Sequence, residues 1–263
     1  MIHFSKYDCD RSIPNLMDGQ KISLRKILYA AFKKGLKNEI KVAQFSGYVS
    51  EHSGYHHGEA SLMGAIIGMA QNFPGSNNIN LLLPNGNFGH RKQLGKDAAS
   101  PRYIFTNINK LAYYIYRDED EPILKYINED GKLVEPETYY PIIPMVLVNG
   151  SKGIGTGYST DIPAYNPVDI CNNILCLLKD EPLKEMTPWF HGFKGSIKDW
   201  RTKESDDPAE IRVIERAMKD PKFMKTLKEV KAAGSTSVNI SPFERTMQGN
   251  QADAISKVLA PDY

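Results

Sequence analysis

The chain has 263 residues, 41% apolar and 24% charged, an ordinary globular composition that sets the expectation of one large domain or two small ones. The longest apolar stretch, residues 142–148, falls far short of the roughly 18 residues a membrane helix needs; His3, Lys6, Asp8 and Asp10 interrupt any signal-peptide run; and three cysteines are too few and too scattered for a disulfide framework or a zinc site. A reduced intracellular compartment follows, and the net charge of +2 hides an asymmetry: residues 1–117 hold 15 Lys and Arg against 7 Asp and Glu, the remainder 18 against 24. The basic half is the candidate polyanion surface, the alternative being a solvated basic face.

Residues 21–35 read as an amphipathic helix. Leu24, Ile27, Leu28, Ala31 and Phe32 form its apolar stripe, Lys21, Arg25, Lys33 and Lys34 lie towards another side, and Gly35 is a stop signal. A shorter helical piece follows over 41–45, with Gly47 and Gly54 punctuating the next stretch. A second amphipathic helix is expected over 57–72, with Ala60, Met63, Ile66, Ile67 and Ala70 on one side, ended by Phe73-Pro74-Gly75. Residues 80–83 and 103–106 are strand candidates flanking a glycine-rich loop at 85–95. A hairpin is expected from 123–127 and 132–134 around Asp130-Gly131. Residues 167–180 look helical; 203–233 are highly charged and helix-favouring; 234–250 read as loop or linker. Short helices followed by turn-rich strands predict an α+β fold built as a winged helix, a helix-turn-helix plus a β wing.

Arg102-Tyr103 is the pair with the clearest chemical use. A phenol oxygen can attack a phosphodiester and conserve its bond energy as a phosphotyrosine ester, while the adjacent guanidinium holds the phosphate. A free phenol ionises only near a pKa of about 10, so a cation or metal must stabilise the developing charge. Lys96 lies in the same loop. With 14 tyrosines in the chain, a packed Tyr103 and a surface Arg102 are the plain alternative. His56-His57 precedes the second helix, where backbone N–H groups favour an anion; a helix-capping histidine or a metal ligand would also account for the pair. The stretch from Asn149 to Gly157 fits neither a Walker loop nor a dinucleotide fingerprint. Within it Ile154 stands between two glycines, either as a wedge that enters a duplex between base pairs or as an anchor on the core.

Together these residues resemble the breakage-reunion region of type IIA DNA topoisomerases of the eukaryotic and large-DNA-virus type. The resemblance runs over residues 4–197 and rests on long strings: Arg11-Ser12-Ile13-Pro14, Lys41-Val42-Ala43-Gln44, Tyr55-His56-His57-Gly58-Glu59, Ser100-Pro101-Arg102-Tyr103-Ile104-Phe105-Thr106, Pro141-Ile142-Ile143-Pro144-Met145 and Gly153-Ile154-Gly155-Thr156-Gly157. It implies a winged-helix DNA-cleavage domain over 1–150 and the start of an α/β tower domain over 151–200, with 201–263 a helical or linker segment left unassigned. It implies Tyr103 as the residue linked to the 5′ phosphate of each cut strand, Arg102 and His57 at that phosphate, and His56 beside them. Arg11, Lys21, Arg25 and Lys96 match positions on the DNA-facing surface, and Ile154 matches the side chain that bends the gate segment.

The implied partners are double-stranded DNA and a homodimer or a heteromeric assembly, with no membrane. The implied cofactors are Mg2+ held by a Toprim module and ATP held by an ATPase module, both outside this chain: neither the Toprim strings nor a Walker loop occurs here, and Asp8-Cys9-Asp10 is a bare DxD. Beyond Lys198 no match to the rest of the tower is read. A fragment, a degenerate copy or a separate subunit would each fit these departures, and the nucleus or a site of viral DNA replication fits the compartment. Two functions follow: the DNA gate of an ATP-dependent type II topoisomerase, or a non-catalytic winged-helix module that binds and bends DNA.

Overall fold

The computed structural model describes residues 2–129 and 131–197. The chain divides into two compact units, Met1–Lys194 and Gly195–Tyr263; the helices and strands below belong to the first. The segments read as helix over 203–233 and as linker over 234–250 lie outside the described residues.

Three helices form the centre of the unit. In α2 (Ile22–Lys34) the expected stripe is inward, with Ile27, Leu28 and Ala31 fully buried, and Gly35 ends the helix in the left-handed region at φ 57°. The next helix, α3 (Val42–Ser53), is longer than the piece read at 41–45: it runs through Gly47 and stops at Gly54, φ 58°. Val42, Phe45 and Val49 recur at helical spacing on its buried face, and that burial outweighs the roughly 1 kcal/mol an internal glycine costs. In α4 (Glu59–Ala70) the buried face is Leu62, Ile66, Met69 and Ala70. Ile66 and Ala70 agree with the stripe read from sequence; Ala60 is exposed, and Met63 and Ile67 are half-buried at its edge.

A three-stranded antiparallel sheet closes over these helices. Its order is β1 (Ile40–Lys41), β3 (Phe105–Ile108), β2 (Leu82–Asn85), with Ile40 opposite Thr106 and Leu82 opposite Ile108. The last two strands begin two residues later than read from sequence, which leaves Tyr103 in the turn before β3. Leu82, Ile104 and Ile108 join the helices in one core. Each such buried aliphatic side chain contributes about 1.5–3 kcal/mol relative to exposure.

The expected hairpin forms from β4 (Tyr126–Glu129) and β5 (Lys132–Pro136), but Ile123 belongs to a preceding 3-10 turn, Asp118–Ile123. A second hairpin occupies the glycine-rich stretch read as a loop: β6 (Ser151–Gly155) pairs with β7 (Tyr158–Ile162), Ile154 opposite Ser159. Helix α5 (Pro167–Leu178) follows, its first turn capped by the Asn166 side chain accepting from Val168 N–H. The sequence reading had no counterpart to α1 (Ile2–Ser12), which buries none of its residues. Residues 151–194 share one compact unit with 1–150. The class is mixed α and β, helices packed on small antiparallel sheets.

Candidate nucleic-acid interface

Tyr103 and Arg102 stand on a turn fastened at both ends. Ala43 N–H donates to Pro101 O at 3.1 Å and Val42 N–H to Ile104 O at 3.0 Å, tying the turn to the start of α3. Ile104 is buried while Tyr103 is 77% exposed and Arg102 is exposed. Among the described residues neither side chain has a hydrogen bond or ion pair, so a phenol and a guanidinium project together into solvent from a rigid base. The packed-tyrosine alternative is thereby removed.

His56-His57 occupies the short link between α3 and α4. Tyr55 is buried and sets the link, its ring edge-on to His57 at 5.4 Å. His57 Nε2 lies 3.0 Å from Tyr7 Oη of α1. Burial first, then the charges of Arg11, His56 and Lys26, hold the His57 pKa below its ordinary value, which favours a neutral ring. His56 turns to a separate partner, its Nε2 3.1 Å from Glu129 Oε1.

Behind the pair is an ionic core that sequence reasoning missed. Lys26 Nζ sits 2.9 Å from the carboxylate of Glu135, 3.7 Å from Glu129 Oε2, and donates to Ser53 O at close contact. Glu135 is 2% exposed. One ammonium thus joins α2, the end of α3 and both strands of the β4–β5 hairpin, and holds the His56 partner in place. The signal was available: Lys26 falls between Arg25 and Ile27 on the inward side of α2, where a lysine needs an acid.

The basic positions separate into two kinds. Arg11, in the last turn of α1, and Lys96, in the loop between β2 and β3, are exposed. That loop is pinned by Asp97, which accepts from His90 N–H at 2.8 Å and contacts its ring Nδ1 at 2.7 Å. Lys21 is half-buried just before α2, and burial lowers its pKa. Arg25 is a correction. It is 5% exposed, its Nε 2.6 Å and Nη2 3.1 Å from the carboxylate of fully buried Asp18, with Nη2 also donating to Gln20 O. Its donors are spent inside, on the turn before α2, so it does not face solvent.

Ile154 is 75% exposed on the outward side of β6, which excludes the core-anchor alternative. The inward side carries Ser151 and Gly153, both buried. A Cβ on Gly153 would meet Ser12 O, and one on Gly155 would lie 3.1 Å from Cys9 Cα, so glycine permits α1 to lie directly on the strand. Asp8 Oδ2 accepts from Thr156 Oγ1 at 2.7 Å, and Cys9 Sγ is 3.4 Å from Thr156 O. Asp8 is therefore a hairpin support. Through Tyr7 and Arg11 on one side and Asp8 and Cys9 on the other, α1 links His57 to the strand that carries Ile154.

Among the described residues no group of three or more His, Cys, Asp or Glu is placed to hold a metal ion. A cleft of about 530 Å3 is lined by tyrosines and carboxylates rather than by a phosphate-binding backbone. Among the described residues, none is arranged to hold magnesium or ATP. No described helix is long and apolar enough to cross a membrane.

The family model for the A-subunit of DNA gyrase/topoisomerase IV matches residues 11–258. DNA topoisomerase 2 of Saccharomyces cerevisiae is 59% identical over 199 residues, which are 76% of this chain and 14% of that protein. DNA topoisomerase 2 of Candida albicans is 45% identical over 266 residues, 98% of this chain and 18% of that protein. The chain therefore spans less than a fifth of the length of these relatives. Both the family match and the Candida alignment continue past Lys198, where the sequence reading ended the resemblance. The crystal structure of the Plasmodium falciparum topoisomerase II DNA-binding, cleavage and re-ligation domain superposes with a TM-score of 0.75 at 55% identity, covering 76% of this chain and 28% of that one. The chain belongs to the DNA gyrase/topoisomerase IV A-subunit family.

Proposed function

We propose that this chain forms the DNA gate of a type II topoisomerase, with Tyr103 as its nucleophile. In this reading α2, α3, α4 and the β1–β3–β2 sheet are a winged helix, residues 1–150 are its cleavage domain, and 151–200 begin a tower domain. Tyr103 Oη attacks a backbone phosphorus and loses its proton. The bond from phosphorus to the 3′ oxygen breaks, that oxygen leaves as a hydroxyl, and the 5′ phosphate stays esterified to the phenol. Rejoining runs the same step backwards after a second duplex has passed.

The observation that carries the proposal is the exposure of Tyr103 and Arg102 side by side on a turn that is itself locked to α3. A guanidinium beside the attacking oxygen neutralises charge on the phosphorus oxygens as it builds. A neutral His57 ring, paired with Tyr7, can donate one hydrogen bond to the same phosphate without carrying a proton into the site. Arg11 and Lys96 add positive charge along the duplex, and Ile154 wedges between base pairs. Two cuts require two Tyr103 residues, hence a two-fold assembly. Magnesium and ATP enter only through Toprim and ATPase modules outside this chain.

Covalent trapping tests the reading. End-labelled duplex is mixed with the chain assembled with its Toprim and ATPase parts, then denatured. Protein attached to 5′ ends is expected, and Tyr103→Phe should bind DNA with no adduct. Adducts from the variant would show that another residue attacks. The exposed Ile154 favours one other reading, a DNA-bending module without chemistry; bending by the wild-type assembly with no adduct at all would select it.

A further inference from the structure

Away from Tyr103, five tyrosines and a phenylalanine line one cleft between α2, the 3-10 turn Asp118–Ile123 and the β4–β5 hairpin. Its floor is a cluster of Phe32, Tyr116 and Tyr139, with ring centroids 5.5–6.1 Å apart and edge-to-face orientations. Tyr29 and Tyr126 form a wall, their rings 6.2 Å apart and tilted at 59°. Carboxylates rim it: Asp118, Asp120 and Glu121. Arg117 on the same rim is already taken by Glu119 at 2.6 Å.

Two details mark this cleft as a place for a ligand. Tyr139 is 7% exposed and lines the cleft, yet among the described residues its hydroxyl has no hydrogen-bond partner. A largely buried residue of the cleft wall thus keeps an unpaired polar group. Second, the chain's own Lys33 already places its ammonium here, 3.0 Å from Tyr29 Oη and 5.2 Å from the ring centroid. Those two distances put it towards the hydroxyl end of the ring, so the cleft already accommodates an alkylammonium.

We propose that this cleft binds the side chain of a lysine presented by a basic peptide segment of a partner protein. Aromatic faces attract an alkylammonium through the ring quadrupole, more strongly as water is excluded. Tyr139 Oη supplies an acceptor at the floor, and Glu121 and Asp120 supply the counter-charge at the mouth. Glu121 also accepts from Tyr126 Oη at 2.6 Å, which orients that wall. The carboxylate rim repels a phosphate backbone, and none of Arg102, Arg11 and Lys96 lines the cleft.

Fluorescence anisotropy of a fluorescein-labelled peptide of alternating glycine and lysine, titrated with the full chain, tests the proposal. Binding is expected, and acetylation of the lysines should abolish it. Glu121→Gln keeps the hydrogen bond to Tyr126 and removes the charge; it should weaken binding about five- to tenfold, as should Tyr29→Leu. Duplex DNA affinity should stay within about twofold in Glu121→Gln, because an anionic side chain holds no phosphate and the hydrogen bond to Tyr126 is kept. Equal binding of the acetylated peptide, unchanged affinity in Glu121→Gln, or no binding by the wild type would each overturn the proposal. Should Tyr29→Leu fail to fold, the exposed Glu121→Gln decides. A loss of Tyr103 adduct formation has no bearing on these readings, so this proposal and the gate function fail separately.

Discussion

Arg25 and Arg102 are the same residue put to opposite uses. Arg25 is enclosed with Asp18, and deleting its guanidinium leaves a buried carboxylate without a counter-charge. Arg25→Ala should therefore destabilise the unit by about 3–5 kcal/mol in urea unfolding, and a loss below about 1 kcal/mol would mean that solvent reaches Asp18. Arg102→Ala should leave the urea midpoint almost unchanged, since the side chain is exposed and has no hydrogen bond or ion pair among the described residues, while weakening DNA binding. His57 carries a pH signature of known sign. Its folded pKa is depressed below 6.5, so the unfolded chain binds the proton more readily. The stability this provides is complete above pH 6.5 and is lost as pH falls through the folded value. NMR titration should give a midpoint below 6.5 for His57. In Arg11→Ala the midpoint should rise yet stay below 6.5, because burial, the larger cause, remains. An unmoved midpoint would separate α1 from the histidine.

At the scale of elements, the β6–β7 hairpin sets two neighbouring residues against each other. Ile154→Ala removes an exposed side chain, so stability should change by less than about 0.5 kcal/mol, while duplex bending, read by energy transfer between end labels, should fall more than affinity does. Gly153→Ala inserts a methyl group against Ser12 O, with Pro14 Cδ 3.0 Å away. It should cost about 1–3 kcal/mol and displace the strand from α1. Unchanged bending in Ile154→Ala would remove the wedge role. The same hairpin shows where sequence was readable and where it was not. Helix α2 was legible because a wide apolar stripe ended at a glycine, and Tyr103 with Arg102 because their string is distinctive. The hairpin was missed because the inward residues of β6 are a serine and glycines: alternation was present at Ser151, Gly153 and Gly155, but the pattern carried no hydrophobic signal. Helix α1 was missed for a related reason, as it buries no residue and packs on backbone. Arg25 was misplaced because its position on the helix resembled those of the solvent-facing lysines, and its partner Asp18 lies outside the helix, in the preceding turn.

For the whole molecule, the uneven charge distribution matters more than the net value. The excess of cations over residues 1–117 includes Arg25 and Lys26, whose charges are neutralised internally by Asp18, Glu135 and Glu129. Of the cations that remain, the proposed DNA-facing set is a smaller one: exposed Arg11, Lys96 and Arg102, and half-buried Lys21. Four phosphate contacts predict a slope of log affinity against log salt of about −3.6, and Lys96→Ala should reduce its magnitude by about one. A slope near −6 would mean that further cations, not these four, carry the interface. Binding is not breakage, however. Transfer of a phosphoryl group to a phenol leans on metal for charge neutralisation, and no described acidic cluster here could hold one. The isolated chain should therefore retard a duplex in a gel with the salt response above and leave it uncut, with or without magnesium. Strong magnesium-dependent nicking by this polypeptide alone, abolished in Tyr103→Phe, would place a metal site within the chain and overturn the assignment of that task to a separate module.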